Sequence, residues 1–187
     1  MSQENVEIVR KPLRVRERST RTLDQRIALR FPRSMAAGAR LIGRMRPASR
    51  FRHVLLWRAT RMGMEAFNRR DVDAAVLPGH PDFEYHPPRE FIELGFEPCY
   101  RGIAGFRKSI SDWSEVFGAD LRLEPLELID MGDRVVLLAD LAMRGQASGV
   151  PLTGKIATVS MLKGGKATRI DAYLDHHSAL EAVGLSE

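Results

Sequence analysis

Cysteine occurs once in the 187 residues, at Cys99, so an intramolecular disulfide is excluded. A single thiol without metal-type spacing fits a reducing compartment. No window approaches the ~20 consecutive apolar residues needed to span a bilayer. The opening MSQENVEIVR lacks the basic start and apolar run of a secretory leader. The expectation is a soluble, cytoplasmic protein. Several enzyme signatures are missing too: no phosphate-binding loop, dinucleotide fingerprint or nucleophile elbow can be found. His176 and His177 are adjacent, with no HxxxH and no suitably spaced carboxylate, so the sequence yields no metal site. Cys99 carries no cue for activation. No cofactor is implied.

What is present is an ordinary globular composition, 44% apolar and 28% charged, with length for one core plus an extension. The net charge of +5 hides an asymmetry. Residues 1–52 hold 14 Lys/Arg against 4 Asp/Glu, a net +10, whereas 53–187 carry a net −5. The basic character belongs to the N-terminal segment and says little about the rest. Residues 1–51 read as an Arg-rich extension, and 52–187 as the folded domain. Within the extension, Pro32 and Pro47 bracket a short helix with Met35, Ala39, Ile42 and Met45 near helical spacing. Residues 11–52 read as a solvated, poorly ordered tail; the specific alternative is a basic surface for nucleic acid or an anionic membrane.

From Arg52 the pattern becomes regular. Leu55, Ala59, Met62 and Ala66 form one stripe of a helix ending near Asn68. Asp71 caps a second short helix, VDAAVL, which Pro78-Gly79 stops. DFEYH reads as a strand closed by Pro87-Pro88, and 89–102 as a loop. Ile103, Phe106, Ile110, Trp113 and Phe117 mark a clear helix. A β-meander follows: 121–129 with a bulge at Pro125, a turn at 130–133, RVVLLADLAMR, the loop GQASGVP, 152–162, a Gly-Gly hairpin, and ATRIDAYL. Asp175 caps a last helix that Gly184 ends. Helices followed by antiparallel strands imply an α+β fold, with the helices on one face of a curved sheet.

The segments MEAFNRRDVDAAV, FEYHPP, YRGIAGFRKSISDW and GGKATRIDAYLDHHSALEAVGL, in this order over roughly 62–185, resemble the SnoaL-like branch of the nuclear transport factor 2-like superfamily. The resemblance implies a cone of helices closing a bent, mainly antiparallel sheet around an apolar pocket, commonly in homodimers. It implies a pocket for an apolar small molecule, polyketide-, steroid- or terpenoid-like, drawing on Phe67, Tyr100, Trp113, Leu138 and Ala172. Similar proteins run from such a start directly into the EAFNRRD helix, so 11–52 resembles an insertion.

Relatives with known chemistry map onto this chain incompletely. The aspartate base of ketosteroid isomerases corresponds to His86, and their helix tyrosine falls near Gly63, which has no hydroxyl. For limonene epoxide hydrolase-like proteins, the first-strand tyrosine and asparagine correspond to Glu84 and His86. Their arginine and its aspartate correspond to Leu138 and Asp140, and the second aspartate to Ala172. Only Asp140 is kept. What remains is a candidate cluster of Glu84, His86 and Asp140. Glu84 and His86 share a strand face by two-residue periodicity, and the resemblance turns that face inward. A carboxylate beside an imidazole suits cofactor-free acid–base work, with His86 as base. The competing reading is a structural pair at a strand end inside a non-catalytic binding or dimerisation module.

Overall fold

The computed structural model describes residues 20–47, 49–77, 79–118, 121–144 and 151–185. The first nineteen residues, Pro78 and the expected loop at 145–150 lie outside these, as does the side chain of Met35. In chain order the elements are α1 (Leu23–Arg30), α2 (Pro32–Arg44), α3 (Arg50–Asn68), α4 (Val72–Ala75), β1 (Gly79–His86), α5 (Arg89–Ile92), β2 (Tyr100–Arg101), α6 (Gly102–Phe117), β3 (Arg122–Asp130), β4 (Arg134–Arg144), β5 (Pro151–Lys163), β6 (Lys166–Tyr173) and α7 (His176–Glu181). The strands form one curved, mixed sheet in the order β2-β1-β6-β5-β4-β3. Only β1 and β6 run parallel; the other neighbours are antiparallel. The fold is α+β, as the order of elements implied.

Local chemistry sets the element ends. Asp71 accepts a hydrogen bond from Ala74 N and starts α4, and Asp175 accepts from Ser178 N and starts α7. The bulge falls between Pro125 and Glu127, where proline withholds a ladder donor. One helix exit is unusual. Arg70 adopts φ 63°, a left-handed conformation usually left to glycine. Its guanidinium donates to the carbonyls of Phe67 and Leu121 and sits 5.4 Å from the Phe67 ring centroid, contacts that offset the strain.

Side-chain alternation gives the sheet two different faces. Val135, Leu137, Ala139 and Leu141 of β4 point to one side, toward the core built with α3 and α6. Val136 and Leu138 point to the other, under Ala179 and Leu180 of α7. Helices therefore cover both faces, and the expectation that all would pack on one is corrected by α7. The larger core is aromatic: Trp113 lies edge-on to Phe91 at 4.9 Å and 5.3 Å from Phe117, centroid to centroid. Tyr85 lies edge-on to Phe106.

The described residues between 20 and 51 pack onto the domain and are not a solvated tail. Thr22 and Gln25 form a reciprocal capping box on α1, and the fully buried Gln25 donates to Met62 O on α3. Arg52 is 2% exposed, and its donors converge on one knot. It grips both oxygens of the buried Asp130 at 2.6 and 3.0 Å and donates to the carbonyls of Ile42, Met45 and Gly132. This ties the end of α2 to α3 and to the β3–β4 turn. α2 also rests on the β5–β6 hairpin, where a Cβ on Gly165 (φ 76°) would collide with Ala39 O. The hairpin glycine thus supplies both the turn and the room for a helix backbone.

Candidate functional site

Between α1, α2, α3, α6 and the inner face of the sheet lies a cavity of about 620 Å³, within the size range of small-molecule sites. It exists because α1 and α2 roof over a concave sheet whose inward residues are apolar: Leu128, Val135, Leu137, Ile156 and Ile170 all line it, with Leu56 of α3 facing them. Such a lining makes a polar or charged ligand costly and an apolar one favourable. The ionisable lining residues are few. Asp24 and Arg58 pair at 2.6 Å, exposed at the mouth, and Lys166 lies at the β6 start. Among the described lining residues there is no histidine, and no carboxylate besides Asp24.

The other polar lining groups are Thr60 of α3, Thr158 and Ser160 of β5, the Tyr85 phenol and the Trp113 indole. Burial pushes the Tyr85 pKa well up, opposed only in part by a hydrogen bond from Trp113. The phenol is therefore neutral across the physiological range. A neutral phenol keeps its O–H proton as a hydrogen-bond donor. No pattern in the sequence singled out Tyr85. It alternates with Phe83, and the aromatic character of both was the available signal.

The expected site residues separate. Phe67 and Trp113 line the cavity. Tyr100 and Ala172 belong to the same core without lining it; Tyr100 stacks on Tyr85 at 6.1 Å. Its hydroxyl donates to Asp112 at 2.5 Å and accepts from Glu97 N, and burial pushes its pKa up to about 12. Leu138 lies on the opposite face, under α7, because it is out of phase with Leu137. Gly63, the position matched to a catalytic tyrosine, lines the cavity with no hydroxyl to offer.

Glu84 and His86 do share a face and meet, Oε2 to Nε2, at 3.3 Å, but that face is the outer one. Phe83 and Tyr85 are the residues of β1 turned into the cavity; the inward orientation expected for Glu84 and His86 is corrected by one residue of phase. Asp140 does not join them. β1 and β4 are separated by β6 and β5, and three steps of about 4.8 Å put their backbones roughly 14 Å apart along the sheet. The outer face around Glu84 is polar instead. Arg101 approaches its Oε1 at 3.2 Å, and Arg169 binds Asp171 beside it. Cys99 joins Glu84 and His86 in a group whose ligand atoms lie within 4.8 Å of one another.

Comparison with known proteins agrees with this architecture. The model of the SnoaL-like domain matches residues 60–170. The crystal structure of TerC co-crystallised with polyporic acid is 27% identical, covering 67% of this chain and 97% of that one, with a TM-score of 0.58. An NTF2-like protein of unknown function from Burkholderia pseudomallei is 23% identical over 68% of this chain and 96% of that one, TM-score 0.57. A protein with a ketosteroid isomerase-like fold from Catenulispora acidiphila, solved with trimethylamine, is 16% identical over 68% and 92%, TM-score 0.51. No curated protein matches. Residues 1–59, with the roof helices α1 and α2, precede the matched region.

Proposed function

The chain belongs to the SnoaL-like domain family, and from that premise we propose that it takes up one apolar small molecule in the 620 Å³ cavity and orients it through the Tyr85 hydroxyl. The observation that carries this reading is the lining, which away from Asp24, Arg58 and Lys166 is apolar except for a neutral phenol, an indole and the hydroxyls of Thr60, Thr158 and Ser160. A carbonyl-bearing ligand of polyketide, steroid or terpenoid type satisfies it, since a buried donor then finds an acceptor. TerC, the 27%-identical neighbour, was crystallised with polyporic acid, which belongs in the first panel of compounds. If a reaction occurs in the cavity, Tyr85 acts as hydrogen-bond donor to developing negative charge, and the Glu84–His86 pair takes no direct part. Melting temperature measured across a panel of lipophilic compounds tests the proposal. Saturable stabilisation growing as RT ln(1 + [L]/Kd) is expected, and no shift with any compound would discard it.

A second reading is favoured by the cavity mouth. Ile27, Leu41 and Phe51 line the cavity yet are 49%, 53% and 60% exposed. Around them stand exposed arginines of the same helices, among them Arg26, Arg30, Arg40 and Arg44. We propose that this rim rests on anionic bilayers, where basic and apolar side chains act together, and so receives its ligand from lipid. Among the described residues no helix is long and apolar enough to cross a membrane, so the contact is superficial. Sedimentation with phosphatidylserine vesicles but not with neutral ones is expected; no binding to either, or preferential binding to nucleic acid, would remove the reading. The assembly we propose is a cytoplasmic homodimer, supported by the single cysteine and the family resemblance; light scattering giving the mass of one chain would refute it.

A further inference from the structure

The Glu84–His86 pair lies outside the cavity, and its geometry suits another task. β1 and β2 pair antiparallel, with Glu84 opposite Arg101 and Tyr85 opposite Tyr100. Continuing that register puts Cys99 across from His86, and alternation turns Glu84, His86, Cys99 and Arg101 to the outer face together. Residues i and i+2 of one strand and the cross-strand neighbour of i+2 make a three-point set held by backbone pairing. All three are half-buried, and their ligand atoms fall within 4.8 Å of one another.

The three donor types are a carboxylate, an imidazole and a thiol, the set that binds zinc and leaves calcium and magnesium weakly held. Two ligands about 2.0–2.1 Å from a tetrahedral ion lie about 3.3–3.4 Å from each other. Glu84 Oε2 and His86 Nε2 are 3.3 Å apart, slightly beyond the usual hydrogen-bond range of about 2.7–3.2 Å. Arg101 approaches the other carboxylate oxygen, Oε1, at 3.2 Å, orienting the group while leaving Oε2 toward the imidazole. The nearby Arg169 has its charge answered by Asp171 at 2.9 Å. We propose that Glu84, His86 and Cys99 bind a thiophilic divalent cation of the zinc class, with the fourth position open to solvent or to a small anionic ligand. Binding releases the thiol proton to solvent, and thiolate and carboxylate together balance the charge of the ion. The site is separate from the cavity and does not depend on the ligand proposed for it.

Titration of the full chain with Co(II) and Zn(II) tests the proposal. One equivalent of Co(II) is expected to give a near-ultraviolet thiolate charge-transfer band with visible bands of tetrahedral intensity, and Zn(II) should bleach both. Cys99→Ser should abolish the charge-transfer band, and His86→Gln should weaken Zn(II) binding by more than the roughly 10–100-fold typical of losing an outer-shell residue. Thermal unfolding of each variant without metal checks its folding, and wild-type thiol protection by Zn(II) against alkylation supplies a reading that needs no substitution. The rival location is the exposed His177–Glu181 pair, 3.2 Å apart. The proposal is overturned by the absence of a thiolate band, by unchanged Cys99 alkylation with Zn(II), or by binding that survives Cys99→Ser and disappears in His177→Ala.

Discussion

On its inner face the sheet presents Phe83, Tyr85, Leu137 and Ile170 to a cavity; on its outer face the same strands, one residue out of phase, present Glu84, His86, Leu138 and Asp171. The inner set is apolar around one neutral phenol. The outer set is either packed under α7 or engaged in short ion pairs such as Arg169–Asp171. Strand periodicity makes such a division cheap, since alternate residues answer to different environments. The ionisable groups that look catalytic in sequence, Glu84 and His86, stand outside the cavity, and Tyr85, which looks like core, lines it.

The largest effect should come from breaking the roof that makes the inner face a cavity. Arg52→Ala leaves Asp130 buried without its partner, and removing one member of a buried pair typically costs about 3–5 kcal/mol. Urea unfolding should show a loss of that order. Arg52→Lys should recover only part of it, because an ammonium cannot supply the two-pronged grip on Asp130 together with three carbonyls.

Next in size is the loss of the cavity's donor. Tyr85→Phe should weaken a carbonyl-bearing ligand roughly fivefold, the value of about 1 kcal/mol for one hydrogen bond. Calorimetric titration of both proteins with the best compound of the panel reads this directly. An equal affinity would move orientation to Thr158 or Ser160.

The outer pair should behave in the opposite way. Glu84→Gln and His86→Ala are expected to leave affinity for the cavity ligand within about twofold and to change stability by no more than about 1 kcal/mol, as partly exposed polar contacts do. A large loss of ligand binding in either variant would mean that the two faces communicate.

The smallest effect concerns acid. A hydrogen bond from Arg21 is the main cause holding the Asp71 carboxyl below its ordinary 3.8. A carboxyl with a depressed folded pKa contributes stability that is fully present above its unfolded value and lost as pH falls through the folded one. In Arg21→Ala the drop in melting temperature from about pH 6 to about pH 2 should therefore be shallower than in the parent chain. The same contact fixes the start of α1 to that of α4.

Much of this fold was legible because its cues are local. The stripe from Ile103 to Phe117, the bulge at Pro125, the Gly164-Gly165 hairpin and the Asp175 and Gly184 ends of α7 each follow from a few neighbouring residues. Of the roof, the α2 helix between Pro32 and Pro47 was legible, but its packing was not, because what holds it is far away in sequence: Arg52 with Asp130, Arg21 with Asp71, Ala39 against Gly165. An Arg-rich segment with three prolines reads as solvated until those contacts are known. For the site, periodicity puts Glu84 and His86 together but does not say which way they point. Cavity-side pairing with Tyr100 and Ile170 settled that for Tyr85. The approach of Cys99 to His86 depends on β2, a two-residue strand with no sequence signature of its own.

Trp113 lines the cavity, and Trp57 packs on the roof side of the core. In a Trp57→Phe background, Trp113 emission therefore reports cavity occupancy with no label added. An apolar compound from the panel should change that emission saturably. The change should be lost in Ala59→Phe, which extends a ring from α3 into the cavity, and retained in His86→Ala. A saturable change that survives Ala59→Phe but disappears in His86→Ala would put the binding site on the outer face and contradict the division drawn here.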